Sequence, residues 1–206
     1  MTAGAEDVLE LLGTVRAVRY LESKAVPDDM VERLVWAATR APSPGNTQDW
    51  QFVCVDDREK LTQIGDAIEE ILSPAFDRMD RPDRTTDLML SGAKNLATNL
   101  GTVPLVIFVC GHVSYPQQRP REQMTWAALY PAAQNLLVAA RAFGLGATLT
   151  TLHSVAEPVV RTVLGIPDDV RIAATIPIGY PAVPFGPVRR RPVAEVIRRN
   201  GWDQTG

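Results

Sequence analysis

The chain has 206 residues, of which 46% are hydrophobic and 22% charged, with 21 Lys and Arg against 24 Asp and Glu for a net charge of -3. These values exclude a collagen-like, low-complexity or disordered protein and predict one globular domain over 1–206. The slight acidic excess argues against a general nucleic-acid binder, so an anionic ligand would need locally placed arginines.

In chain order, apolar spacing predicts a short helix over 8–12 and a second from Pro27, with Asp28 and Asp29 facing the positive end of its dipole. This second helix should stop near Ala41, because Pro42 restricts the residue before it. Residues 43–46 have loop composition, 50–55 read as a strand and 60–72 as a helix. The run 73–86 mixes Asp77, Asp80 and Asp83 with Arg78, Arg81 and Arg84 and reads as a solvated loop or lid. A helix over 88–100 and a doubly buried strand over 103–110 follow. The long helix over 122–143 should be kinked by Pro131 and capped by Gly144. A short strand over 147–150, a helix to Leu164 capped by Ser154, and a strand over 172–178 complete the pattern. The stretch 179–187 is too rich in Pro and Gly for a regular element, and the tail 188–206 carries five arginines. Few strands and long helices predict a mixed sheet with helices on both sides, not a regular parallel array.

Cys54 and Cys110 lie in apolar strand-like runs and read as small buried hydrophobes rather than a disulfide framework. The start of the chain has no basic-then-apolar pattern, and no apolar run reaches the ~20 residues a membrane helix needs, so a cytoplasmic protein without a membrane contact is expected. No phosphate loop, dinucleotide fingerprint or nucleophile elbow is present. His112 and His153 have no metal-ligand neighbour at helical spacing, and each reads as a hydrogen-bonded structural histidine. Hard chemistry therefore points to a cofactor.

Four segments could hold one: Arg16-Ala17-Val18-Arg19, the loop from Ser43 to Trp50 with Asn46 and Gln48, the strand end from Gly146 to His153, and Arg189-Arg190-Arg191. Arginine makes bidentate phosphate contacts, and an amide both donates to and accepts from a heteroaromatic ring edge. Together they suit an aromatic cofactor with a phosphate tail.

The same segments, with Ala41-Pro42-Ser43-Pro44-Gly45-Asn46-Thr47-Gln48-Asp49-Trp50, Gly144-Leu145-Gly146 and Ile176-Pro177-Ile178-Gly179-Tyr180-Pro181, resemble the nitroreductase family of FMN-dependent oxidoreductases. The likeness runs in order over about 14–202. It implies an α+β fold, a homodimer joined by long helices with the C-terminal extension (about 180–206) wrapping the partner, and FMN at the interface. By position, Arg16, Ala17 and Arg19 would surround the phosphate and ribityl chain, and Arg190, beside Arg189, would reach the phosphate from the tail. Asn46, with Gln48 in the same loop, would meet the flavin ring edge. Pro42, Ser43 and Pro44 would line the pocket from the partner chain, and Thr150, Thr151 and Leu152 would lie along the ring. The chain departs from the family at Val15, Ala17 and Asp49, where a basic residue, a serine and a proline are common. The resemblance implies NAD(P)H as electron donor and a nitroaromatic, quinone or related small electrophile as acceptor in a ping-pong cycle. Its alternatives are flavin fragmentation, reductive dehalogenation, or flavin storage or sensing without turnover.

Overall fold

A computed structural model describes residues 4–202, so residues 203–206 of the basic tail and 1–3 of the start lie outside the described residues. A four-stranded sheet forms the centre, built from β1 (Trp50–Val55), β2 (Leu105–His112), β3 (Gly146–Ala147) and β4 (Val170–Gly179) in the order β1-β2-β4-β3. The fold is α+β, as expected, but every pairing of these strands is antiparallel, so the mixture of directions predicted for the sheet is absent from this chain's strands. Trp50 faces Gly111, Leu105 faces Ile178, and Gly146 faces Gly179.

β2 explains why one strand needs apolar residues throughout. Leu105, Ile107 and Val109 enter one core, whereas Val106, Phe108 and Cys110 enter the other. Successive side chains point to opposite faces, so a strand with helices on both sides has no polar face to spare. On the first face lie α2 (Asp28–Ala38) and α5 (Glu122–Ala142), through Leu34, Leu129, Ala132 and Leu136. On the second lie α3 (Arg58–Arg78), α4 (Arg84–Thr98) and α6 (Glu157–Leu164), through Ile64, Ile68, Leu96 and Val160. The N-terminal helix α1 (Ala5–Thr14) touches α5 but buries none of its residues.

Several boundaries differ from the sequence reading. The run 73–86 is a loop only over 79–83: α3 continues through Pro74 to Arg78 and α4 begins at Arg84. Phe76 is buried in the second core, which holds the extra turn in place. The alternating charges there do local work. Asp83 caps α4 by accepting from the Thr86 N–H at 2.8 Å, and Arg81 pairs with Asp87 at 2.6 Å. The α5 helix runs unbroken past Pro131. Its end is closed at Gly144 (φ +74°), where Gly144 N–H bonds Arg141 O and Leu145 N–H bonds Ala140 O. Ser154 does not cap α6; it sits in a 3-10 turn (Leu152–Val155) and donates to Thr151 O at 2.7 Å. The strand expected over 147–150 is only two residues long, with a separate bridge at Thr150–Thr175.

Cys54 is exposed on the edge strand, contrary to expectation, because β1 has a neighbour on one side only. Its thiol is nevertheless held above the ordinary value by partial desolvation and then by Asp56. Cys110 is buried, and desolvation pushes it up to about 12. Neither thiol is poised as a nucleophile at neutral pH.

Candidate active site

The segment after α1 is pinned in an extended course. Val18 N–H donates to Ala147 O at 3.0 Å, Glu22 N–H to Tyr180 O at 2.8 Å, and Ala182 N–H to Tyr20 O at 3.0 Å. Gly146 permits this approach, since a Cβ there would stand 2.7 Å from Val18 Cγ1. Arg16 and Ala17 are thereby left exposed, while Arg19 is half-buried. The Arg19 carbonyl accepts from Asn95 Nδ2 of α4 at 3.1 Å.

These residues wall a cleft of about 430 Å3. Val15, Arg16, Ala17 and Arg19 form one side, and Gln134, Leu137 and Arg141 of α5 form another. Ala147 ends β3, Thr148 and Leu149 follow it, and Phe185, Val188 and Arg190 come from the tail. A second cleft of about 350 Å3 shares Arg19 and Leu149 with the first. Thr150, Thr151 and Leu152 line one side of it, and Leu72, Met89, Ala93 and Leu96 the other. Thr150 is fixed by a backbone bridge to Thr175 (3.0 and 2.9 Å) and by its own hydroxyl donating to Thr175 O at 3.0 Å. The result is a trough with a cationic end and an apolar, hydroxyl-edged end.

No Asp or Glu lines either cleft. Among the described residues, Arg16, Arg19 and Arg190 form no ion pair with a carboxylate. Burial, and then the neighbouring charge of Arg16, lower the Arg19 pKa, with Tyr20 opposing. Like charges are gathered here without internal neutralisation, as a site for an anion requires. The donor set suits a phosphate monoester such as that of FMN, which accepts bidentate guanidinium contacts.

The amide loop lies elsewhere. Ser43 Oγ accepts from Gln48 N–H at 2.9 Å, and Asn46 N–H donates to Ser43 O at 2.8 Å. Gly45, Asn46 and Gln48 all have positive φ (+62°, +52° and +53°). The loop packs beside Tyr115 and the first half of α5, where Pro44 and Thr47 meet Met124, Thr125 and Ala128. The cleft begins along α5 at Gln134, so the two regions are separated by roughly two turns, on the order of 10 Å. Within one chain, Pro42, Ser43, Pro44, Asn46 and Gln48 therefore do not line the arginine cleft. Arg189 is exposed outside it, with its carbonyl accepting from the Arg190 guanidinium at 3.0 Å. Sequence reasoning missed Arg141 and Phe185, whereas Thr148 and Leu149 fall inside the expected strand-end segment 146–153. Phe185 offered a signal, as an aromatic in a Pro/Gly-rich segment; Arg141 offered none beyond a cation in the last turn of a helix.

Both histidines hold structural contacts: His153 Nδ1 lies 2.9 Å from Thr175 Oγ1, and His112 Nδ1 lies 3.6 Å from Asp169. Among the described residues, no three His, Cys, Asp or Glu side chains gather as a metal site, and no helix is long and apolar enough to cross a membrane.

A sequence model described as "Nitroreductase family" matches residues 14–180. The chain belongs to the nitroreductase family. Iodotyrosine deiodinase 1 of Mus musculus is 30% identical over 192 residues, covering 88% of this nitroreductase-family chain but 65% of its own length. A protein of Archaeoglobus fulgidus named "Putative NADH dehydrogenase/NAD(P)H nitroreductase" is 28% identical over 179 residues, covering 85% of this chain and 86% of its own. Among solved structures, oxidized iodotyrosine deiodinase bound to FMN and 3-iodo-L-tyrosine superposes with a TM-score of 0.76 over 95% of this chain and 100% of that one, at 23% identity. That last likeness carries the nitroreductase-like fold.

Proposed function

We propose that this protein is an FMN-dependent NAD(P)H oxidoreductase that works as a homodimer. The observation that carries the reading is the acid-free arginine cleft opening onto the Thr150–Leu152 trough. Arg16, Arg19 and Arg190 would hold the phosphate, Ala17 would let the ribityl chain pass close to the backbone, and Thr150, Thr151 and Leu152 would flank the ring. Bound FMN would supply hydride acceptance from the nicotinamide and return of electrons to a small electrophile. The protein's part is positioning: the Thr150–Thr175 bridge fixes one wall of the ring site, and the apolar side chains of α3 and α4 exclude water from the other.

The exposed apolar surface supports the homodimer. Val8, Leu9 and Leu12 of α1, Trp36 of α2, and Val193, Val196 and Trp202 of the tail all face outward. A ten-residue amphipathic helix that buries nothing in its own chain has an apolar face awaiting cover. A second chain would also bring its Pro42–Pro44 segment, Asn46 and Gln48 to the cleft. Retention in the cytoplasm would fit a nicotinamide-dependent enzyme.

The acceptor has two candidates. A nitro compound, with a quinone taking electrons in the same way, agrees with the nitroreductase in the name of the archaeal relative, and a halogenated phenol agrees with that of the mouse relative. The deciding experiment records the visible spectrum of the purified protein and identifies the flavin released on denaturation. FMN absorbance and release, with NAD(P)H oxidation by nitroaromatic or quinone, is the expected result. Halide release from a 2-halophenol with no nitro or quinone turnover would select the dehalogenase reading. A colourless protein that neither takes up FMN nor oxidises NAD(P)H when FMN is added overturns both.

A further inference from the structure

One cation of the cleft has no role in the preceding assignment. Arg141 occupies the last turn of α5, just before the Gly144 closure. A cation there complements the negative end of the helix dipole, which is reason enough for an arginine on the surface. Its position is not that of a surface arginine. Its Nε is buried and has no hydrogen-bond partner in the protein. Leaving such a donor unpaired is costly, and buried donors are almost always satisfied. The guanidinium lies 4.1 Å from the centre of the Phe185 ring, so an aromatic plane covers one side of it. The residue lines the cleft together with Arg16, Arg19 and Arg190. On its other side, Arg141 borders a small cavity with Asp7 and Glu10 of α1, but among the described residues it forms no ion pair with either.

We propose that Arg141 binds the phosphate of the cleft's ligand and, through Phe185, couples that anion to closure of the C-terminal tail. Identification of the ligand as FMN rests on the reading above; the anion site itself does not. Four guanidinium groups around one cleft repel each other, and an anion of charge about -2 removes that repulsion while accepting their forked N–H groups. Beyond the Ala182–Tyr20 bond, and among the described residues, the tail is tied to the rest by the Phe185 ring on Arg141 and by Val188 N–H donating to Gly13 O at 2.9 Å. Arg190 reaches the cleft from this same segment. A phosphate held between Arg16, Arg141 and Arg190 therefore joins the extended segment after α1, the end of α5 and the tail. Removing it leaves repulsion between Arg190 and the other cleft arginines, opposed in this segment by the Phe185 stack and the Val188 backbone bond.

The test uses the full chain, freed of flavin by dialysis, with Arg141→Met and Arg141→Lys. Three readouts are taken: dissociation constants of FMN and riboflavin by flavin fluorescence, the rise in Tm with inorganic phosphate at constant ionic strength, and tryptic cleavage after Arg189 and Arg190. Arg141→Met should weaken FMN about tenfold or more while riboflavin stays within about twofold, because only FMN carries the phosphate. The phosphate-dependent rise in Tm should shrink, and phosphate should cease to protect the tail from trypsin. Arg141→Lys should fall between, since it keeps a charge but loses Nε and the planar stack. Equal weakening of FMN and riboflavin would assign Arg141 a merely structural role, and unchanged FMN affinity would also overturn the proposal. If the native protein binds neither flavin, the FMN reading fails, yet a phosphate-dependent Tm rise lost in Arg141→Met upholds the anion site. Absence of that rise in the native protein overturns the anion site as well.

Discussion

The arginine cleft and the amide loop are built in opposite ways. The cleft is assembled from segments far apart in sequence: the extended segment after α1, the end of α5, the turn after β3 and the tail. Every segment is held by long-range backbone bonds or packing, and no strained residue is needed. The amide loop is local. Its shape is set within 43–48 by Ser43 and by three positive φ angles, two of them in non-glycine residues. Such strain persists where surrounding structure enforces it and is concentrated at functional sites. The chain therefore carries one complete cationic half-site, and a second, strained element about two turns away along α5. A homodimer reconciles them if each loop serves the cleft of the other chain.

The largest expected effect tests this division directly. Arg16→Ala and Asn46→Ala should each weaken FMN severalfold, with Arg16 about tenfold or more. Coexpressed, the two variants should regain native-affinity sites, about a quarter of the total for random pairing in a two-fold dimer. The measurement is the biphasic FMN titration of the mixture. If cleft and loop of one chain served the same site, no native site could reappear. Next in size is Gly45→Ala. A Cβ there would lie 2.3 Å from Tyr115 Cε2 and would need φ near +62°. Unfolding in urea should show a loss of about 1–2 kcal/mol, and FMN affinity should fall as Asn46 shifts. A destabilised variant with unchanged FMN affinity would detach the loop from the site.

Much of the cationic half was legible because short runs carried it. Arg16 and Arg19 lie three residues apart, and β1 matches its expected bounds because its apolar run ends at Asp56 and Asp57. The sheet's pairing was not legible, since doubly buried strands have the same apolar pattern in either direction. The region 73–86 misled because Asp and Arg serve helix ends as readily as loops; the cap at Asp83 and the Arg81–Asp87 pair exist only once α3 and α4 are in place. Arg141 was invisible for a related reason. Its neighbours in the cleft, Arg16 and Arg190, are distant in sequence, and only the fold brings the three together.

A smaller perturbation separates ligand affinity from stability on the cleft side alone. Gly92 of α4 is buried, and a Cβ there would meet Arg19 Cδ at 3.2 Å. Gly92→Ala should raise helix stability by up to about 1 kcal/mol. By displacing the Arg19 side chain it should nonetheless weaken FMN a few-fold. Parallel changes in Tm and FMN affinity would show that Arg19 needs no such seating.

The smallest effect is expected from acid, and it too should divide the two regions. His153 follows directly on the Thr150–Leu152 wall and is buried against Thr175. Desolvation, the largest influence, lowers its pKa; Glu157 and a backbone hydrogen bond at Ile172 oppose this, and Arg161 adds to it. The unfolded chain, with a histidine near 6.5, then takes up the proton more readily than the native protein. Stability is full above that value and declines as pH falls below 6.5, by at most about 1.4 kcal/mol per pH unit for one group. His153→Gln retains an amide that can bond Thr175 but does not titrate, so its urea midpoint should change less between pH 7.5 and pH 5. Taken relative to the intrinsic exchange rate at each pH, amide exchange in the native protein should accelerate over 148–155 on acidification across that range while 43–48 stays unchanged. Equal acid sensitivity in His153→Gln, or equal acceleration in both segments, would break the claim that the cleft wall and the loop are stabilised independently.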